Sequence, residues 1–336
     1  MQLTRNTGFS HLVMLCLYQV NIQSRKSNLK NKILIIAGPT AVGKTALSIN
    51  LAKRLNGEII SADSMQVYKG LDIGTAKPSL LEMQGVKHHM IDVCEPAHKF
   101  SVAQYVNLAT TCVDDALSRG KFPIIVGGTG LYIDNLIYNN DFGEMSVDYE
   151  IRDKLTQRAN SEGNSVLLSE LQKIDGEYAS KLHVNDKKRI IHALEIFYTT
   201  GKTQTELIKE SRTKPPKFDF LYVVLDFSNR DILYSRINTR VDIMMEQGLL
   251  DEAKRIISSP WYKDSTCSQA IGYKEFEPYF NGEKDLSECV ELLKQHSRNY
   301  AKRQLTWFRH KEEANFVLTD KSSSPESDII NLLKNN

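Results

Sequence analysis

Residues 38–45, Gly38-Pro39-Thr40-Ala41-Val42-Gly43-Lys44-Thr45, follow the spacing G-x-x-x-x-G-K-[ST]. Backbone N–H groups in such a loop wrap phosphate oxygens, the lysine neutralises them, and the closing hydroxyl can ligate Mg²⁺. Those last two roles fall to Lys44 and Thr45. The surroundings agree: Ile33 to Ala37 is an apolar run with the length of a buried strand, and Leu47, Leu51 and Leu55 recur every fourth residue. A strand, a loop and a helix are predicted, with the positive end of the helix facing an anion. The motif establishes a phosphate site and leaves open whether the phosphate is that of ATP.

A second group of reactive side chains follows the run "EIISA". Asp63 comes directly after it, at the edge of a parallel sheet where open α/β folds bind their ligands. A carboxylate there could take up a proton, hold Mg²⁺, or cap the next turn, and capping is the commonest use of a lone Asp. The polar residues behind it (Ser64, Gln66, Tyr68, Lys69, Asp72, Thr75 and Lys77) read as a loop that lines a substrate site. A third apolar run ends in "VGGTGLY", where Gly127, Gly128 and Gly130 allow close backbone approach to a ligand and Thr129 offers a hydroxyl. An isolated GGTG is equally a tight turn. The Asp that ends this strand in many P-loop ATPases is absent, and the only other strand-end Asp is Asp226 in "LYVVLD". Phosphoryl transfer from ATP is correspondingly disfavoured.

Two basic stretches complete the inventory. "HVNDKKRIIHALEIF" places Lys187, Lys188, Arg189 and His192 on the first turns of a helix behind an Asn185/Asp186 cap. A solvated charged face is the default reading of such a run. In "SRNYAKRQLTWFRHK", Ala301, Leu305 and Phe308 share one helical face, Tyr300, Gln304 and Trp307 share another, and Arg298, Lys302 and Arg309 fall elsewhere. Core packing accounts for the apolar stripe, while the basic residues could follow a phosphate backbone.

The elements that must position these groups are those of an α/β protein. Among 336 residues, 41% are hydrophobic and 25% charged, as in an ordinary globular protein. The net charge of +2 excludes a global field for nucleic acid, so affinity of that kind must come from local patches. The five cysteines are scattered with no C-x-x-C pair, which argues against a zinc site or a disulfide framework. Four apolar runs (33–37, 58–62, 123–126 and 220–227) read as buried strands joined by helical crossovers. The expected fold is an α/β P-loop NTPase-like parallel sheet flanked by helices, with an inserted all-helical subdomain. The boundaries expected are an N-terminal extension over 1–30, core over 31–141, a helical insertion over 142–214, core again over 215–325 and a tail over 326–336. The extension has no acidic residue and one short apolar run, too short to span a bilayer and without a small-residue cleavage site, so targeting is the lesser reading.

Taken together, the blocks "GPTAVGKTAL", "ISADSMQVYKGLDIGTAKP", "VGGTGLY", "NDKKRI", "ALEI", "QAIGYKE" and "YAKRQLTWFR" resemble, in content and order, the tRNA dimethylallyltransferase (isopentenyltransferase) family over roughly 31–320. The resemblance implies transfer of a prenyl group from dimethylallyl diphosphate to N6 of the adenine 3′ of a tRNA anticodon. It further implies Mg²⁺ on Thr45, a diphosphate held by the 38–45 loop and by Arg240 in "RINTRVDIMMEQG", Asp63 as general base and Thr129 as the residue that positions the amine. Asp63, Ser64, Met65, Gln66 and Thr129 would face the adenine. Arg152, the stretch Lys188, Arg189, Ile190, Ile191 and His192, and the stretch Gln269, Ala270, Ile271, Gly272, Tyr273 and Lys274 match further tRNA contacts.

This chain departs from the family pattern at Val184, where proline is common, and at His192, where arginine is frequent, which weakens one phosphate contact. The zinc finger that ends many eukaryotic members does not follow, so a bacterial-type protein is expected, acting as a cytoplasmic monomer without membrane contact. Two other readings share the phosphate loop. One is a prenyltransferase acting on free adenylate, and the other is a small-molecule kinase, which would consume ATP. A non-catalytic nucleotide-binding module comes third, disfavoured by Asp63 and Thr129.

Overall fold

A computed structural model of the chain describes residues 32–138, 149–213 and 215–335. The expected extension over 1–30 and the start of the expected insertion at 142 lie outside these residues. The described part forms two compact units. One takes the residues up to Ser101, Leu108–Ile133 and those from Phe218 on, and the other Val102–Asn107 with Asp134–Lys217.

The first unit is built on six parallel strands: β1 (Lys32–Ala37), β2 (Gly57–Ala62), β3 (His88–His89), β4 (Phe122–Gly127), β5 (Asp219–Asp226) and β6 (Ala314–Leu318), in the order β3-β2-β4-β1-β5-β6. All six residues of β1 are buried, as expected of a central strand covered on both faces. Four of the six strands match the apolar runs. The two edge strands were not among them, because β3 is two residues long and β6 buries only Val317.

Helices close the crossovers: α1 (Lys44–Leu55), α2 (Leu80–Met83), α3 (Val102–Ser118) and α4 (Gly130–Ile137). Leu51, Ile49 and Ala52 of α1 pack against β1, β2 and β4 through Leu34, Ile59 and Ile124, and Leu47 and Leu55 pack at the margin of the same core. The predicted i, i+4 face is therefore the face that α1 buries.

The second unit contains α5 (Tyr149–Ser161), α6 (Asn164–Ile174), α7 (Gly176–Ala179), α8 (Lys187–Thr200) and α9 (Gln204–Thr213), with no strand among its described residues. Its core joins Leu155 of α5, Leu167 and Leu171 of α6 and Ile190, Ile191 and Leu194 of α8. The cap of α8 differs from expectation. Asp186 holds the N-cap position, but its Oδ2 accepts from the His183 N–H at 2.9 Å instead of capping the helix.

The first unit then continues with α10 (Arg230–Glu246), α11 (Leu249–Ile257), α12 (Glu277–Phe280), α13 (Leu286–Arg309) and α14 (Pro325–Asn335). No helix among the described residues is long and apolar enough to cross a membrane. The four described cysteines are free.

Candidate active site

Register decides where the reactive groups meet. Ala37 of β1 is level with Gly127 of β4, and Gly127 is level with Ala62 of β2. The phosphate loop, the GGTG turn and Asp63 therefore leave the sheet at one edge, side by side. They border a cleft of about 1580 Å³, larger than the ~300–1,000 Å³ common for small-molecule sites.

The phosphate loop winds through left-handed backbone at Ala41 (φ 64°) and Gly43 (φ 103°) and delivers the chain into α1. Lys44 Nζ donates to the carbonyl oxygens of Gly38 and Pro39 at 2.9 and 2.8 Å. Burial and the nearby Arg240 cation pull its pKa down to about 7, with Asp63 opposing them. Arg240, on α10, is half-buried at the same cleft with Nη1 3.4 Å from the Thr40 hydroxyl, and desolvation lowers its pKa as well. Two cations desolvated side by side are a strained arrangement that an anion between them relieves. Arg236 braces the loop from behind, its Nε donating to Ala41 O at 2.9 Å. Thr45 is exposed at the cleft. Among the described residues no group of three or more His, Cys, Asp or Glu could hold a metal ion. One hydroxyl beside a phosphate site fits Mg²⁺ bound largely through phosphate oxygens and water, the usual mode for that ion.

Asp63 does two things. Its Oδ1 accepts from the backbone N–H groups of Met65 (2.8 Å) and Gln66 (3.2 Å), which is the capping role weighed above. Both contacts use the same oxygen, and the carboxylate borders the cleft. Thr129 Oγ1 accepts from the Ser64 N–H at 3.1 Å, and Thr129 N–H donates to Ala62 O at 3.1 Å, so hydroxyl and carboxylate are held on adjoining turns. Gln66 is committed within the loop. It accepts from Ser61 Oγ and donates to the carbonyls of Thr75 and Ala76. Of the polar run, Tyr68 is wholly buried, while Asp72, Thr75 and Lys77 line the cleft.

The glycines of the GGTG turn are required by close approach within the protein, and Gly127 and Gly128 also line the cleft. A Cβ on Gly127 would lie 2.1 Å from Ala62 O, one on Gly128 2.0 Å from Gln304 Nε2, and one on Gly130 2.3 Å from the Trp307 ring. The face of α13 that carries Tyr300, Gln304 and Trp307 thus reaches the site. Gln304 borders the cleft, and so does Tyr300. Burial and the Asp63 charge push its phenol up to about 12. The signal available in the sequence was a glutamine on an otherwise apolar-aromatic face. Two basic residues of α13 are engaged within the protein, Arg298 with Asn238 and Arg309 with the buried Asp226, while Arg303 lines the cleft. Asp226 is therefore the ion-pair partner of Arg309.

The residues expected to touch tRNA divide by burial. In the second unit Lys188, Arg189 and His192 are exposed, whereas Ile190 and Ile191 are 1% and 6% exposed and serve the core. Arg152 is paired with the buried Glu195 through Nε (2.9 Å) and Nη2 (2.6 Å). In the first unit, Gln269 and Lys274 present side chains, while Ala270, Gly272 and Tyr273 are buried.

Fold and site together define a P-loop α/β protein whose phosphate-loop motif stands beside a carboxylate and a hydroxyl. The comparisons narrow that class. A family model described as IPP transferase matches residues 66–311. The chain is 47% identical over 302 residues to a tRNA dimethylallyltransferase of Acetivibrio thermocellus, covering 90% of this chain and 96% of that one. It is 50% identical over 288 residues to the tRNA dimethylallyltransferase of Bacillus subtilis, covering 85% and 90%. Among solved structures, a full-length tRNA isopentenylpyrophosphate transferase of Bacillus halodurans aligns with a TM-score of 0.66 at 44% identity, covering 91% of this chain and 95% of that one. A eukaryotic dimethylallyltransferase described as acting on tRNA aligns with a TM-score of 0.76 at 32% identity, covering 90% and 78%. The chain belongs to the IPP transferase family of tRNA dimethylallyltransferases.

Proposed function

We propose that this protein transfers the dimethylallyl group of dimethylallyl diphosphate to the exocyclic N6 of the adenine 3′ of the anticodon in tRNA. The observation that carries the reading is the level ending of β1, β4 and β2, which sets the phosphate loop beside Thr129 and Asp63. The C–O bond of the prenyl diphosphate breaks and the N6–C bond forms, the diphosphate leaving as an anion. Lys44, Arg240 and the loop N–H groups stabilise the charge that develops on the leaving oxygens. Mg²⁺ bound to that diphosphate through Thr45 would withdraw further charge from it. The adenine N6 lone pair is delocalised, so the amine is a weak nucleophile, and Asp63 takes its proton as attack proceeds. Thr129 orients the amine.

An adenine in an anticodon loop must leave its stack to reach such a site. The size of the cleft suits a base together with a prenyl diphosphate. The exposed Lys188 and Arg189, with Gln269 and Lys274, supply phosphate and loop contacts. The protein works as a monomer in the cytoplasm on this reading.

The test is mass spectrometry of unmodified tRNA incubated with the protein, Mg²⁺ and dimethylallyl diphosphate, with AMP and ATP offered in parallel. A dimethylallyl group on the adenine 3′ of the anticodon supports the proposal. Prenylation of AMP with tRNA untouched would favour the adenylate reading, and ATP consumption with phosphoryl transfer would favour a kinase.

A further inference from the structure

We infer that Gln304 is a positioning residue, whose carboxamide locks the diphosphate loop to the acceptor loop at a fixed separation. The inference rests on the prenyl transfer proposed above. Gln304 sits on α13 at 5% exposure. Its Oε1 accepts from the Thr40 N–H at 2.9 Å, inside the phosphate loop. Its Nε2 donates to Gly128 O at 3.0 Å, one residue before Thr129. A carboxamide has one accepting and one donating end, and here each end holds a different half of the site. A carboxylate could not donate to Gly128 O and an ammonium could not accept from Thr40 N–H, so the bridge requires an amide side chain. The absence of a side chain at Gly128 allows this approach, since a Cβ there would stand 2.0 Å from Nε2.

One helical turn earlier on the same face, Tyr300 borders the same cleft. The same carboxamide thus sets the height of the phosphate loop and, through Gly128, that of the turn carrying the hydroxyl meant to orient the amine. Transfer requires N6 and the departing carbon to meet in a near-attack geometry of about 3–3.5 Å, and an error of about 1 Å can cost on the order of 100-fold. Holding both loops on one side chain is a direct way to fix that distance. Gln304 need not touch either substrate to do so.

The experiment uses the full chain, comparing wild type with Gln304→Met, which keeps the length and removes both hydrogen-bonding ends. Transfer kinetics at saturating tRNA and dimethylallyl diphosphate are measured with the dissociation constant of each substrate. The expected result is a fall in kcat of about 100-fold with both dissociation constants within about three-fold of wild type. An unchanged kcat would overturn the inference. So would a loss confined to prenyl-diphosphate affinity, which would make Gln304 a brace of the phosphate loop alone. Should Gln304→Met fail to fold, Gly128→Ala decides: it pushes the carboxamide away from the acceptor loop and should give the same split between kcat and affinity. Failure of the underlying reading shows separately, as wild-type protein that leaves tRNA unmodified.

Discussion

Gly272 and Gly74 meet backbone to backbone. A Cβ on Gly272, whose φ is 112°, would stand 3.0 Å from the Gly74 carbonyl oxygen, and one on Gly74 would stand 2.7 Å from the Tyr273 ring. Two segments read separately as ligand-facing, "GLDIGTAK" and "QAIGYK", are therefore one wall of the cleft. The Glu252 carboxylate of α11 binds them together, accepting from the N–H groups of Asp72 (3.3 Å), Ile73 (3.1 Å) and Gly74 (2.9 Å) and from the Tyr273 hydroxyl (2.9 Å).

Glu252→Ala should therefore destabilise the first unit and loosen this wall. Three backbone donors and a phenol lose a buried acceptor, and such a loss costs about 1–3 kcal/mol for each donor that water cannot reach. Partial hydration lowers the sum, and about 3–5 kcal/mol is expected, the range for breaking a buried charged network. Urea unfolding measures it. A change below about 1 kcal/mol would show that the donors find other partners on their own.

Arg189→Ala should weaken tRNA binding without altering prenyl-diphosphate binding. Arg189 is exposed on α8, and its ion pair with Asp186 is long, at 3.9 Å. Its guanidinium is thus at the disposal of a phosphate. The slope of log affinity against log salt should fall by about one, the signature of a single lost phosphate contact. An unchanged slope would remove Arg189 from the RNA contact surface.

The sequence disclosed the parts of this fold that depend on strong local pattern. β1, β2, β4 and β5 are buried on both faces and so read as continuous apolar runs, and the phosphate loop carries its own spacing. The edge strand β6 was not visible because its one buried side chain depends on α14, which follows it, and on pairing with β5, which is remote in the chain. The same limit hid the role of Gln304. Nothing local to α13 says that its carboxamide reaches Thr40, 264 residues earlier. Ile190 and Ile191 show the converse, since a motif block that resembles an RNA contact also contains the residues that pack its helix.

Lys44 gives a pH dependence whose sign is fixed by its environment. Burial and Arg240 hold its pKa near about 7 in the free protein, and a bound diphosphate would raise it toward the ordinary lysine range. Below about 7 the ammonium is already present, so affinity gains nothing from further acidification on its account. Above that value each binding event must take up a proton, and affinity should fall by up to about tenfold per pH unit. Calorimetry of dimethylallyl diphosphate at constant Mg²⁺ tests this, with Lys44→Met as the reference for titration of the ligand itself. Parallel pH profiles for the two proteins would mean that Lys44 stays charged throughout.

Asp63→Asn separates the three roles open to that carboxylate. The Asn Oδ1 can still accept from Met65 and Gln66, so the turn that follows β2 should survive, and with it the position of Ser64 beneath Thr129. What asparagine lacks is the capacity to take a proton. General-base assistance is typically worth about 10²–10⁴-fold, so kcat should fall by that factor while the dissociation constants of tRNA and dimethylallyl diphosphate hold within about three-fold. A small rate loss with a lower melting temperature would mean that the cap is the whole function of Asp63. A loss largely restored by excess Mg²⁺ would make it a metal anchor. A profile in which kcat alone collapses, at unchanged stability and over a range of Mg²⁺ concentrations, assigns the proton to Asp63.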